Sequence, residues 1–305
     1  MSRGLPDTFA PPERSYSLYE GIDYEQYWDD PQQRRQDALE QRIVSDMLPW
    51  SGRRIIDLGC GYGRLAPCYL NRFEQVVMYD GSLSLLRQAR EAFGHRAVAI
   101  AGDVAHLPFM AASFDSVLSI RVLQHIHDLR STFQEMHRVL ARDGRLVFSF
   151  HNKRNAHRIM HLIKARRIAD PFSLDSAEVG PIIVSHHPNR VEALLTSAGF
   201  SAPEYQGAVV LDSLARAAER LGGHSPAGLR WAPFTGRHRL APWLVGRATS
   251  PTGHTLQSAE HIDELLVCPS CKGDLDRPGR SYECPSCART YPIVDGVLDF
   301  RLEGA

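Results

Sequence analysis

Four of the six cysteines stand in two CxxC pairs, Cys268 and Cys271 in VCPSC and Cys284 and Cys287 in ECPSC, with 12 residues between the pairs. Each Cys-Pro-Ser-Cys run can turn so that two sulfurs aim at one point, and four thiolates together suit a tetrahedral zinc ion. Because cysteine takes all four positions, no coordination site stays open. The zinc that this spacing predicts is therefore structural, not catalytic. Cys60 and Cys68 stand apart in the first half of the chain. That usage fits metal binding in a reducing compartment better than it fits disulfides.

A second constellation lies upstream, where the apolar run RRIIDLG breaks into a turn, Gly59-Cys60-Gly61-Tyr62-Gly63, just after Asp57. Glycines let the backbone approach a ligand where a Cβ would collide, and the unpaired N–H groups of a following helix N-terminus suit a carboxylate. The spacing is GxGxG, not the GxGxxG of dinucleotide folds, and taken alone it is also compatible with a plain turn. Two more acids raise its significance. Asp80 closes the apolar run QVVMYD, where a carboxylate can accept two ribose hydroxyls, and Asp103 closes RAVAIAGD, where it can accept an exocyclic amine. An NAD enzyme also uses an acid like Asp80, but the glycine spacing and Asp103 count against one.

The elements that must position these residues alternate in type. Strands are expected over Arg53–Gly59, Gln75–Asp80, Arg96–Asp103, Ser113–Ile120 and Arg145–Phe150. Between them, SLLRQAREAFG reads as a helix ended by Gly94, and Leu129, Phe133, Met136 and Leu140 share one helical face with Gly144 as the stop. A further helix from Arg190 to Ala198, capped by Asn189 and closed by Gly199, leads into SAPEYQ and a last strand, Trp243–Arg247; another helix is expected near Leu211–Leu221. Strands alternating with helices require parallel pairing through crossovers, which predicts a doubly wound, mostly parallel seven-stranded α/β sheet. Ligands in such sheets bind beyond the carboxyl ends of the strands, where the winding reverses.

The segments DLGCGYGRLAP, VVMYDGSLSLLRQAR, IAGDVAHLPFMAASFDSVLSIRVLQHIHD and MHRVLARDGRLVFSF resemble, in order, the motifs of class I S-adenosylmethionine (SAM) dependent methyltransferases of the type 11 kind. The resemblance implies that Asp57, Gly59 and Gly61, with Cys60, hold the methionine end of SAM. It puts Asp80, with Gly81, at the ribose and Asp103, with the Val104 backbone, at the adenine. Arg121, Gln124 and His125 follow the fourth strand beside the reacting sulfur. Arg121 is taken as a cofactor contact and His125 as the candidate general base, with a structural histidine as the alternative. SIRV stands where amino-group methylases carry an Asn/Asp-Pro-Pro-aromatic tetrad, and no cysteine is present for cytosine C5 chemistry. Tyr16, Tyr19, Tyr24, Tyr27 and Trp28 are read either as a lid over the cofactor or as ordinary helix packing. His127 is expected to face solvent.

LLVCPSCKGDLDRPGRSYECPSCARTYPIVDGVLDF resembles the small zinc-ribbon proteins that bind and activate methyltransferases acting on tRNA, ribosomal RNA and release factors. A core this small needs its metal to fold. The resemblance implies an activator tethered in cis and docked on the catalytic domain. The expected organisation is a helical cap over 1–50, the methyltransferase domain over 51–249, a linker over 250–262 and the zinc ribbon over 263–305.

Lys+Arg and Asp+Glu are both 35, so no global field draws the chain to nucleic acid or anionic lipid. No apolar run is long enough to span a bilayer and MSRGLPDTFAPPERSYS has no apolar core for secretion, so a soluble cytoplasmic protein with no membrane partner is expected. Two basic stretches, His151–Arg167 and Arg220–Arg247, the latter with Trp231, Phe234 and Trp243 interleaved, are candidate RNA contacts or else solvated surface. Three readings follow: transfer to the O or N atom of a small acceptor, transfer to RNA or protein with the activator fused in cis, and a SAM-binding scaffold without catalysis.

Overall fold

In the computed structural model the described residues are Trp28, 30–126, 128–163, 169–179, 183–208 and 227–302. The aromatic cluster Tyr16–Tyr27, His127 and the helix expected near 211–221 lie outside them. The strands are β1 (Gly52–Leu58), β2 (Phe73–Asp80), β3 (Val98–Ala101), β4 (Phe114–Ser119), β5 (Leu140–His151), β6 (Ala177–Val179), β7 (Ile183–Ser185), β8 (Glu204–Gly207), β9 (Trp243–Thr249), β10 (Ser281–Glu283), β11 (Thr290–Val294) and β12 (Val297–Asp299). The helices are α1 (Pro31–Met47), α2 (Leu83–Phe93), α3 (Leu129–Val139), α4 (Ala156–Ile163), α5 (Pro188–Ala198) and α6 (Ala227–Arg237).

Seven strands form the main sheet in the order β3-β2-β1-β4-β5-β9-β8. β1 through β5 pair in parallel, whereas β9 runs antiparallel to both β5 and β8. The chain steps outward from β1 to β3 and then returns to β4 on the other side of β1, so the winding reverses between β1 and β4. That crevice is where a doubly wound sheet binds ligand.

Local chemistry sets most element ends. Ser82 caps α2 by accepting from the Leu85 N–H, and Asp128 caps α3 by accepting from the Arg130 N–H. Leu129, Phe133 and Met136 turn inward from α3 onto the sheet. Two expected ends fall elsewhere. α3 passes straight into β5 at Leu140 and Gly144 lies inside that strand, because the parallel pairing of Phe114 with Leu140 draws the chain into the sheet early. α5 is capped by His187, whose side chain accepts from the Asn189 N–H, and Gly199 closes it in a left-handed conformation.

The ribbon does not hang from the sheet but continues it. β12 pairs in parallel with β3 through Leu298↔Ile100 and Asp299↔Ala101, and β11 and β10 add antiparallel beyond it, so ten strands run in one order. One hydrophobic cluster joins Ile100, Phe109 and Phe133 to Leu265, Leu266, Tyr291, Phe300 and Leu302. Burial of a large apolar side chain is worth ~1.5–3 kcal/mol, so this seam stabilises both parts.

The 250–262 segment, expected as a linker, is a strap held against the domain. Arg53 and the buried Arg54 donate to the carbonyls of Gln257 and Ala259, Gln257 N–H donates to Ala112 O at 3.0 Å, and Ala259 and Ile262 are buried. Among the described residues no helix is long and apolar enough to cross a membrane.

Candidate SAM site and metal centre

The turn after β1 is built by its glycines. Gly59, Gly61 and Gly63 have φ of 75°, 57° and 88°. The N–H groups of Gly59 and Cys60 both reach Tyr79 O, at 2.7 and 3.1 Å, which folds the turn back over β2. A Cβ on Gly59 would stand 2.2 Å from Val122 Cγ2, whereas one on Gly61 would meet nothing nearer than Leu85 Cδ1 at 3.9 Å. Gly59 is thus needed for packing against the β4 loop, and the bare face of Gly61 leaves room for a ligand.

Ten of the residues expected at the cofactor and methyl site line one open cleft: Asp57, Gly59, Cys60, Gly61, Asp80, Gly81, Asp103, Val104, Arg121 and His125; Gln124 does not line it. Asp80 is fixed by two backbone donors, Gly61 N at 2.8 Å and Ser82 N at 2.9 Å. Asp103 accepts from Ala105 N at 2.9 Å. Asp57 is buried and accepts from Tyr69 Oη at 2.8 Å; burial pushes its carboxyl up to about 7, with the Tyr69 hydroxyl and Arg64 pulling the other way. The Cys60 thiol is buried and pushed well above its ordinary range, so at neutral pH it is a protonated wall residue, not a nucleophile.

His125 ends a short 3₁₀ turn after β4. Gln124 Nε2 donates to the Arg121 carbonyl and lies 3.0 Å from His125 Nε2, an arrangement that makes His125 Nε2 the acceptor and leaves the ring proton on Nδ1. Arg121 has φ 61°, a left-handed conformation rare for a side-chain-bearing residue, and its N–H is held by Ser149 Oγ at 2.8 Å.

Sequence reasoning missed the group that holds Arg121. Glu40 of α1 is fully buried and bonds Arg121 Nε at 3.0 Å and Arg64 Nη2 at 2.6 Å; Arg64 also pairs with Asp37. Burial pushes the Glu40 carboxyl up, but Arg121 and Arg64 more than offset it, so it sits below the usual carboxylate range. The two guanidinium groups stack on Trp28, at 4.2 Å for Arg64 and 5.1 Å for Arg121. A signal was present: Glu40 shares the helical face of Ile43, Val44 and Met47, an acid on an apolar stripe.

The sulfurs of Cys268, Cys271, Cys284 and Cys287 all lie within 4.8 Å of one another. A tetrahedral ion with Zn–S bonds of about 2.3 Å separates its sulfurs by about 3.8 Å, so the cage fits zinc. The two knuckles share one geometry: Lys272 N–H returns to Cys268 O and Ala288 N–H to Cys284 O, both at 2.8 Å, with Lys272 and Ala288 left-handed. Tyr291 Oη lies 3.1 Å from Cys268 Sγ, where it can donate to the thiolate. Lys272 also reaches across the seam to Leu107 O at 3.0 Å and Glu135 Oε2 at 2.9 Å.

Of the basic stretches, Lys153 is buried with its ammonium on the carbonyls of Ser173 and Asp175, Arg239 bonds Asn189 and Glu192, and Arg247 pairs with Glu204. Trp243 packs under the Arg121 guanidinium at 4.5 Å.

A family model for the methyltransferase domain matches residues 56–148, and one for Trm112p-like proteins matches residues 264–296. The chain is 32% identical over 117 residues to the demethylmenaquinone methyltransferase of Thermobifida fusca, covering 37% of this chain and 50% of that one. It is 31% identical over 126 residues to the malonyl-[acyl-carrier protein] O-methyltransferase of a Methylovorus species, covering 37% and 43%. The chain thus spans half or less of the length of these curated relatives. Among solved structures, a SAM-dependent methyltransferase of Mesorhizobium loti aligns with TM-score 0.52 at 22% identity, over 69% of this chain and 97% of that chain. A complex containing the Haloferax volcanii Trm112 methyltransferase activator aligns with TM-score 0.51 at 18% identity, over 72% and 92%. These two likenesses are likenesses of fold. The chain joins a class I SAM-dependent methyltransferase domain to a Trm112p-like ribbon that carries a four-cysteine metal cage.

Proposed function

We propose that this protein is a cytoplasmic methyltransferase that transfers the methyl group of SAM to an O or N nucleophile of a small-molecule acceptor, with the zinc ribbon as a built-in docked partner. The observation that carries the reading is the convergence of Asp57, Asp80 and Asp103 with the Gly59–Gly63 turn on one cleft at the β1/β4 switch point. In it, Asp57 and the turn, with Gly59, Cys60 and Gly61, take the methionine end; Asp80 and Gly81 take the ribose; Asp103 and the Val104 backbone take the adenine. Bound there, SAM supplies a methyl group already activated by its sulfonium. The protein's task is then alignment, exclusion of water and removal of one proton. Arg121, locked by Glu40, fixes the wall beside the acceptor, and His125 is the candidate base, its Nε2 released from Gln124 when an acceptor hydroxyl or amine takes that contact.

A small acceptor is supported by the state of the basic segments: Lys153, Arg239 and Arg247 are spent on internal partners and Trp243 is stacked on Arg121, which leaves fewer groups for an RNA backbone. The Trm112p-like ribbon favours the second reading, an RNA or protein acceptor. Incubation with SAM labelled in the methyl group and fractionated small-molecule, RNA and protein pools of a host cell tests both. Label in the small-molecule pool is the expected result, label in RNA or protein selects the second reading, and SAM binding with no transfer to any pool defeats both in favour of a scaffold.

A further inference from the structure

Three buried polar atoms beyond the carboxyl ends of β4 and β5 have no hydrogen-bond partner among the described residues: Arg121 Nη2, Arg158 Nη1 and His151 Nδ1. Buried donors are ordinarily paired, and an unpaired charged one is the costliest exception. Three in one neighbourhood call for an explanation.

Two of them, on Arg121 and His151, meet at one ring, and the third, on Arg158, follows His151 by seven residues. His151, the last residue of β5, faces Trp243 across the β5/β9 ladder with the rings edge to face at 5.1 Å, and the Arg121 guanidinium lies over the same Trp243 ring at 4.5 Å. The charges of Arg158, from the first turns of α4, and of Arg121 both act on the His151 imidazole. Arg121 links these groups to the SAM cleft, whose wall it forms with a side chain only 9% exposed.

The charge balance has a sign. Three guanidinium groups, Arg64, Arg121 and Arg158, face two carboxylates, Asp37 and Glu40, which are taken up by Arg64 and Arg121 Nε. Arg158 has no ion pair among the described residues. Burial first, then the two guanidinium groups, pushes His151 down to about 4, so at neutral pH it adds no charge and can present an Nδ1–H. Asp57, lifted to about 7 beside Arg64, offsets only part of the remaining positive charge, and three donors stay unused among the described residues. Guanidinium groups with free N–H bonds in a desolvated place are suited to carboxylate and phosphate oxygens.

We propose that Arg121 Nη2, Arg158 Nη1 and His151 Nδ1 form the head-group site of the methyl acceptor, and that the acceptor is a small molecule carrying a carboxylate or phosphate. This rests on the small-acceptor reading above and adds the chemical class. The acceptor's anionic end sits between Arg121 and Arg158, and the length of Arg121 ties that end to the cleft in which the methyl group is transferred.

The test is calorimetric titration of the full zinc-loaded chain, saturated with S-adenosylhomocysteine, using three probes with the same tail: octanoate, octyl phosphate and the neutral octanamide. At least one anionic probe should bind about tenfold or more tighter than octanamide, and which one it is separates carboxylate from phosphate. Arg158→Gln should erase that preference and Arg158→Lys should restore part of it, with S-adenosylhomocysteine affinity unchanged in both. Equal binding of all three probes, no binding of either anion at millimolar concentration, or a preference that survives Arg158→Gln overturns the proposal. Failure of the wild-type chain to bind S-adenosylhomocysteine overturns instead the reading on which it rests.

Discussion

The carboxyl of Asp57 is buried beneath the glycine turn, and burial lifts it to about 7 against the pull of Tyr69 and Arg64. Its folded value lies above its unfolded one, so its contribution to stability is fully present below about pH 4 and is lost as pH rises through about 7. Ligand binding runs the other way. A ligand whose cationic ammonium end is held by Asp57 favours the carboxylate, so binding releases a proton below pH 7. Affinity for S-adenosylhomocysteine should therefore rise with pH by up to about tenfold per unit below 7 and level off above it; Asp57→Asn should bind more weakly and without that slope. Calorimetry across buffers checks both, and a wild-type affinity independent of pH from 5.5 to 7 refutes the assignment. Glu40 makes a different statement. Glu40→Gln would leave the Arg121 and Arg64 guanidinium groups buried without their shared carboxylate, a loss of about 3–5 kcal/mol that urea unfolding would register. The three strand-end acids were legible in the sequence because each closes an apolar run, a local pattern. Glu40 was not read because its partners lie 24 and 81 residues away, and no window of the chain contains them together.

Among elements, the strands that position the SAM site announce themselves as apolar runs broken by Gly59, Asp80 and Asp103. The segment 250–262 misleads for a physical reason. SPTGHTLQS has the composition of free chain, but composition reports local propensity, whereas this strap is held by Arg53 and Arg54, which lie about 200 residues upstream in β1. Arg54 is fully buried, and both of its Nη atoms donate to strap carbonyls, while Asp115 Oδ2 accepts the Arg53 and Arg54 backbone N–H groups at 2.6 and 3.1 Å. Arg54→Leu should leave the Gln257 and Ala259 carbonyls short of partners and cost about 2–3 kcal/mol. It should also open the strap to a protease: cleavage between residues 250 and 262 should quicken while the sheet stays intact. If cleavage there is as slow as in the wild type, the strap is held by its apolar contacts alone. The pairing of β12 with β3 was equally invisible, because a three-residue strand carries no register signal of its own; what the sequence did show was the pair of knuckles that brings that strand back.

At the scale of the whole molecule, the ribbon solves a problem that the seven-stranded sheet would otherwise have. β3 is the outer strand on that side, and its free N–H and C=O groups would template the pairing of another chain. β12 takes the Ile100 and Ala101 positions, Phe300 N–H donates to Ala101 O at 2.8 Å, and Leu265, Leu266 and Phe300 cover the apolar face beside it. The ribbon holds this shape through four sulfurs, and binding of structural zinc by such small domains is worth roughly 10–16 kcal/mol, more than its short strands could supply by themselves. Because one cluster of buried residues runs through both parts, zinc removal should act on the whole protein and not on the ribbon alone. Thermal unfolding of the zinc-loaded chain should show one cooperative transition. After extraction of the metal by a chelator strong enough to compete with four thiolates, that transition should move down as a whole and be followed by aggregation through the uncovered β3 edge. Re-addition of zinc before heating should restore it, and Cys268→Ser should mimic the loss. Two separated transitions, with the methyltransferase domain melting at an unchanged temperature when the metal is gone, would show that the seam between β12 and β3 contributes nothing to the stability of the catalytic sheet.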